Sequence, residues 1–338
     1  MTYPINISDF TRRPRWQRWA GPVRYLARRC AHGALTLLLV SLIVFAAVQL
    51  LPGDAATAIL GKEATPERLT ALREQLGLGA TAPQQYATWL VGTLQGDLGS
   101  SAAARIPVTE LLADRFENTG LLLIGATLVA VPLGLAMGIG SALRRDRLSD
   151  HAVSVVTLIL HSLPEFVIAL TLVLVFSTQV FHVLPAVSLV PPGASALDDP
   201  AVLVLPVLTL AATTFPYIAR TVRSSMIEAL ESEYVDLARL HGLPERTVVL
   251  RHALPNALVP AIQVVALQVA WMAGGVVVVE FVFGLPGLGA ALVEAVRSRD
   301  LPVVQATALL AAAIYVVMGL LADVATTLAS PRLRTAVA

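Results

Sequence analysis

Residues 233 to 258 read EYVDLARLHGLPERTVVLRHALPNAL, a charged stretch set between two long apolar runs. A connector between two packed helices usually needs only a few residues, so a segment of this length calls for its own explanation. Leu230, Tyr234, Leu237 and His241 recur at helical spacing, while Glu228, Glu231, Asp236 and Arg239 sit largely off that stripe. Gly242 is placed to take the left-handed conformation that ends a helix. Pro244 suits the first turn of a new helix, and Glu245 favours its positive end. The pattern therefore predicts two short helices joined at an angle, a firm polar elbow whose chain returns to apolar sequence at Pro255.

What surrounds the elbow is mostly apolar. Hydrophobic residues make up 56% of the chain and charged ones only 14%, a composition that belongs to membrane proteins. A crossing needs about 20 mainly apolar residues. Six stretches qualify: 31–51, 119–143, 152–183, 201–219, 257–283 and 303–329. They lack the alternation of barrel strands, and backbone groups in lipid must pair internally, so the fold class is an all-α polytopic membrane protein with six transmembrane helices. The third stretch is too long for a straight crossing and must tilt strongly, protrude or break near Pro164. Pro132, Pro206, Pro216 and Pro260 also favour kinks within their spans.

Arginine sets the orientation. Seventeen of the 24 basic residues fall in segments that share one side if the start of the chain is cytoplasmic, and the loop 181–200 has none. The positive-inside rule then places residues 1–30 inside or along the inner interface, the loop 52–118 outside, the elbow region 220–256 inside and the tail 330–338 inside. Trp16, Trp19 and Tyr25 among the first arginines suit an interfacial position. Residues 119–329 form the membrane core. The outer loop is predicted to hold short amphipathic helices: one after Thr65, with Leu69, Leu72 and Leu76 on a face and Gly77 as its stop, one over 83–94 with Tyr86, Trp89, Leu90 and Leu94 on a stripe, and one over 107–117 that feeds the second span. Such helices either cover the mouth of the membrane domain or rest on the bilayer.

Several chemistries have no support. The only lysine, Lys62, is in no phosphate-binding loop, so the chain is not expected to bind ATP or any other cofactor by itself. Cys30 is the one cysteine and the six histidines are scattered, which gives no metal or redox motif. A net charge of +1 gives no field for nucleic acid. Gly284, Gly287 and Gly289 follow a span, not a strand, and read as a turn with close backbone packing.

Asp236, Ala238 and Gly242, followed by Leu254 and Pro255, resemble the EAA loop of ABC importer permeases. "ARLHGL" and "RHALPNALVP" are similar to the dipeptide, oligopeptide and nickel branch of that family. So, in family order, are "LLPGD" at Leu50 to Asp54, "EQLGL" at Glu74 to Leu78, "GDLGSS" at Gly96 to Ser101, "FGLPGLG" at Phe283 to Gly289 and "RDLPVVQ" at Arg299 to Gln305. Asp236 stands for the family's Glu, Leu237 for the first Ala and His252 for Ile. Gly319 and Ser330 depart from the family's closing motif.

The resemblance implies a permease subunit whose elbow docks on a separate ATP-hydrolysing subunit, with Asp236, Ala238, Arg239, Gly242, Leu243, Pro244, Arg251 and Pro255 as coupling residues. It implies a second homologous permease, two ABC ATPase subunits or one two-headed equivalent that bind ATP and Mg, and an extracytoplasmic substrate-binding protein. Di- or oligopeptides are the expected solute, with nickel or another small solute as the alternative within the family. An ion-coupled carrier relaying protons through Glu165 and Glu280 is the alternative of another class. Glu165 lies mid-span, where an ionisable group needs water, a partner or a ligand. It either lines the pathway and meets a cationic group or holds the kink at Pro164. Thr213, Thr214, Gln263 and Gln268 line the same path or bridge helices as polar glue. Glu280 is near the outer end and reads as interfacial, and Gly274 and Gly275 read as packing residues.

Overall fold

The computed structural model describes residues 17–50, 65–75, 80–191 and 193–329. Trp16 and the earlier arginines, the 51–64 stretch, Leu76 and Gly77, and the closing segment after Ala329 lie outside the described residues. So do the side chains of Trp19, Leu69 and Leu72.

The first apolar run is the greater part of a single helix, α1 (Gln17–Leu50), of 34 residues. Residues 17–30 belong to the same helix as the apolar run, since nothing between Gln17 and Leu50 breaks its backbone bonds except Pro22, which lies in its first two turns. In the outer-loop region α2 (Pro66–Gln75) begins where Thr65 accepts a bond from the Arg68 N–H at 3.4 Å. Next comes α3 (Ala82–Leu94), with Gln84 reaching back to the Thr81 N–H at 3.1 Å. Its aromatic stripe does not lie free. Tyr86 meets Ser41 at 2.8 Å and packs edge-on against Phe45 of α1 with 5.3 Å between ring centres, and Trp89 stands 6.0 Å from the same ring.

The third amphipathic stretch is not separate from the second span. Both belong to α4 (Val108–Leu143), whose 36 residues extend about 54 Å, well beyond a 30 Å hydrocarbon layer. Its first three turns therefore project past the apolar zone. Pro132 sits inside α4 without ending it.

Pro164 acts differently. Leu163 before it is extended (φ −85°, ψ 136°), as the proline ring requires, and the chain turns by 107° between α5 (Leu148–Ser162) and α6 (Glu165–Val173), which runs on as a π-helix to Gln179. The long third stretch thus breaks; it neither tilts as one rod nor protrudes. It still travels from one end of the molecule to the other. Asp150 near its start bonds Arg223, whereas beyond its end Ser188 N–H bonds the Phe283 carbonyl at 2.7 Å and Gly193 N–H bonds Asp114 at 3.3 Å.

The remaining helices are α7 (Ala201–Leu230), which contains Pro206 and Pro216, α8 (Glu233–Leu240), α9 (Leu254–Phe283), which contains Pro260, α10 (Leu288–Ser298) and α11 (Leu301–Ala329). Among the described residues five helices are long and apolar enough to cross a membrane, and six if the bent pair is counted as one span. The core joins Leu122 and Ala126 of α4, Ala169 of α6, Leu205 and Leu210 of α7, and Met272, Val276 and Phe283 of α9. Between helices in lipid, close packing replaces the hydrophobic effect as the main attraction, and small residues permit it. Gly134 and Gly138 of α4 do this: a Cβ on Gly134 would stand 2.8 Å from Ile218, and one on Gly138 2.6 Å from the Ala219 carbonyl. Gly33 lets α1 approach Val316 of α11 in the same way, beside bonds from Tyr25 and Arg29 to Asp323 at 3.2 and 3.3 Å.

Candidate functional site

The elbow begins one residue after α7 ends, so the polar segment is shorter than 220–256 and α7 runs eleven residues further than the apolar stretch suggested. Ser232, extended, opens α8, with Glu233 and Asp236 in its first turn, where acids are favoured. Gly242 closes it at φ 76°. Its N–H bonds the Arg239 carbonyl at 2.9 Å and the Leu243 N–H bonds the Ala238 carbonyl at 3.3 Å, the paired bonds of a Schellman turn. Pro244 then starts a turn of helix (Glu245–Thr247) that passes through a π-helical segment (Val248–Ala253) into α9.

Arg239 holds the two arms together. Its guanidinium donates to Glu245 at 2.9 and 3.3 Å, to Asp236 at 3.2 Å and to the Leu230 carbonyl at 3.3 Å. Bonding to Glu245, with Asp236 adding, raises the Arg239 pKa above its already high ordinary value, so the clamp stays charged at any physiological pH.

The helical period of the elbow is present, and Tyr234, Leu237 and His241 on its stripe face away from the protein. The buried residues of α8 are Val235 and Ala238, which pack against Met226 and Ala229 of α7, the π-segment residues Val248, Val249 and Ala253, and Ala257 of α9. Tyr234 is left 43% exposed, Leu237 56% and Leu240 84%, with Leu243 and Leu250 also exposed. The inward face of α8 is thus carried by Val235 and Ala238, and the large apolar side chains point outward. Arg251, Pro244 and Pro255 are exposed as well.

Beneath the elbow lies a group of charges that sequence reasoning missed. Asp150, 2% exposed, accepts two bonds from Arg223 at 2.7 Å each, one from Ser141 and one from the Asp146 N–H at 3.0 Å. Arg145 pairs with Glu231 beside it. These bonds tie α4, α5 and the end of α7 into one base. Fourfold satisfaction is what permits a buried carboxylate, and no local pattern announces it because Asp150 and Arg223 are far apart in sequence.

Farther along, Glu165, Thr213, Thr214 and Gln268 line one cleft of about 250 Å³, with His161, Pro164, Trp271 and Met272. Gln263 is exposed and does not join them. Gly275 supports the site, since a Cβ there would collide with the Glu165 carboxylate, whereas Gly274 faces open space and packs against nothing. Glu280 is not interfacial. It is fully buried and accepts bonds from Thr119 at 2.6 Å, Gly289 N–H at 2.7 Å and Ala290 N–H at 3.1 Å, fastening the positive start of α10 to α9 and α4. Gly284 at φ 65° makes the turn that brings α10 back, and Gly287 leaves room for the carboxylate.

A bent bundle of membrane-crossing helices with a firm polar elbow at one end defines a membrane transport component. The chain belongs to the family described as binding-protein-dependent transport system inner membrane component, whose sequence model matches residues 130–335; a companion model for the N-terminal part of such membrane components matches residues 22–122. It is 34% identical over 315 residues to a Sinorhizobium fredii protein named "Probable peptide ABC transporter permease protein", covering 92% of this chain and 99% of that one. It is 37% identical over 312 residues to the glutathione transport system permease protein of Salmonella typhimurium, again covering 92% and 99%.

Proposed function

We propose that this chain is the permease subunit of an ATP-binding-cassette importer for peptides, with the elbow on the cytoplasmic side and both chain ends there. In this reading the chain binds no nucleotide. A second related permease completes the pathway, two ATPase domains on separate chains bind ATP and Mg, and a soluble binding protein delivers the solute to the Gly284 end. The observation that carries it is the outward apolar stripe of Tyr234, Leu237, Leu240 and Leu243 on an otherwise charged elbow. Exposed apolar side chains clustered on a rigid polar element fit a partner groove.

The elbow is built to pass on displacement. Its core is shared with α7 and α9, so a push on α8 moves both long helices. The same two helices bring Thr213, Thr214, Gln268 and Trp271 to the cleft, the Asp150–Arg223 pair couples the α5–α6 arm, which carries His161 and Glu165, to α7, and the Arg145–Glu231 pair links the turn before α5 to the end of α7. All walls of the cleft thus connect to the elbow through packed or ion-paired groups. Closure of the ATPases on ATP would rock this assembly between inward and outward access.

The test is transport by the reconstituted complex. Proteoliposomes containing both permeases and the ATPases should take up trialanine only with ATP and the binding protein present. Accumulation of the peptide by this chain alone, without ATP, would contradict the reading.

A further inference from the structure

The Glu165 cleft sits about halfway along α7, at the depth of Thr213 and Thr214, and its carboxylate is only half-buried. Among the described residues no side chain or backbone donor reaches that carboxylate. This separates it from Asp150, Glu280 and Asp300, the three buried acids, each of which is filled with donors: Asp300 accepts from Ser101 at 2.5 Å and from the N–H groups of Ala102 and Ala103 at 3.1 and 3.2 Å. A charged carboxylate turned toward hydrocarbon at mid-depth costs about 2.5–3.5 kcal/mol on the gentlest scales. The open side of the cleft therefore faces water, a partner subunit or a ligand and not lipid.

The lining describes what that ligand carries. Glu165 supplies the negative charge, the Gln268 side-chain carbonyl and the threonine hydroxyls supply further acceptors, and Trp271, 68% exposed, puts an aromatic side chain of the kind that attracts cations on the lining. Among the described residues that line the cleft, the group able to carry positive charge is His161, whose ring lies 5.9 Å from that of Tyr217. Gly275 holds the α9 backbone close enough to fix the carboxylate in place. A volume of about 250 Å³ is below that of a typical ligand pocket, about 300–1,000 Å³, and takes the end of a molecule, not the whole of it.

We infer that this cleft is a transit site for the protonated primary amine of the solute, held against Glu165 with Trp271, Gln268 and Thr213 around it, while the rest of the solute extends into the pathway. The inference rests on the importer reading and adds the chemical group that the permease itself recognises. It places part of the selectivity in the membrane component, downstream of the binding protein. Occupancy is brief, because a site that must also release its cargo has to be weak.

Glu165→Gln keeps the shape of the side chain and removes its charge, and Glu165→Asp keeps the charge. In proteoliposomes holding the complete transporter and binding protein, maximal trialanine uptake should fall at least about tenfold for Glu165→Gln and stay within about threefold for Glu165→Asp. Half-saturation, set at the binding protein, should not move. ATP hydrolysis stimulated by the loaded binding protein should persist in both variants, giving futile turnover in the first. Wild-type uptake by Glu165→Gln would overturn the amine site. So would loss of the second permease from the purified complex in that variant, which would assign Glu165 to a subunit contact, or equal loss of uptake in both variants, which would assign it to the bend. Absence of trialanine uptake by the wild-type transporter would instead overturn the peptide reading, and the inference with it.

Discussion

Leu240→Glu in the assembled transporter should cut solute-stimulated ATP hydrolysis at least about tenfold while leaving the permease inserted and paired. Leu240 is 84% exposed, so the change does not touch the chain's own packing. Its cost falls on whatever covers the stripe. A charge forced into the centre of an apolar contact typically loses about 2 kcal/mol or more, equivalent to roughly 30-fold in affinity. Gly242→Val should have a similar effect by another route. There is space around Gly242, with no heavy atom within 4 Å of an added Cβ, but φ of 76° is strained for a β-branched residue by about 1–3 kcal/mol. Relief of that strain opens the Schellman turn and re-aims the stripe. ATPase assays with and without loaded binding protein distinguish the outcomes; wild-type stimulation in both variants would remove the elbow from the coupling path.

The second large effect belongs beneath the elbow. Arg223→Met leaves Asp150 buried with a charge and only Ser141 and one N–H as partners, a change expected to destabilise the bundle by about 3–5 kcal/mol. Removing the charge as well should restore most of the loss, because a buried neutral pair is often no worse than the ion pair it replaces. Thermal unfolding of the purified complex in detergent should therefore rank the wild type and the Asp150→Asn, Arg223→Met double variant well above Arg223→Met alone. Equal melting temperatures for the single variant and the wild type would show that the pair carries no structural load.

The pattern of success in reading the sequence follows the range of the interactions. The turn at Gly242 and the start of α2 after Thr65 depend on neighbouring residues, and each was legible; Pro164 marked where the third stretch could break, but length alone left a strong tilt or a protrusion open. The six crossings were legible because lipid imposes length and composition. Which side of α8 turns inward was not, since Tyr234 and Leu237 share the helical period whether they face the bundle or a partner. The tertiary packing of Val235 and Ala238 against α7, the π-helical segment and α9 decides it. The roles of Asp150 and Glu280 were hidden for a related reason: their partners Arg223 and Thr119 are brought in by tertiary structure. Gly134 and Gly138 could have been found, because small residues four apart on an apolar helix signal a close crossing. Of the expected pathway group, Glu165, Thr213 and Gln268 meet in one cleft because three separate elements converge there, and Gln263 falls on another face of α9.

Cross-linking at the elbow tests the force-transmitting role most directly. Cys30 is the only native cysteine, so Leu240→Cys in a Cys30→Ser background gives a single thiol at the tip of the stripe. A short thiol-to-amine cross-linker applied to the full complex should join this chain to the ATPase subunit, with a yield that changes when ATP is added. The same reagent with Leu189→Cys, exposed near the opposite end, should not. An adduct with the ATPase from position 189 and none from position 240 would contradict the account.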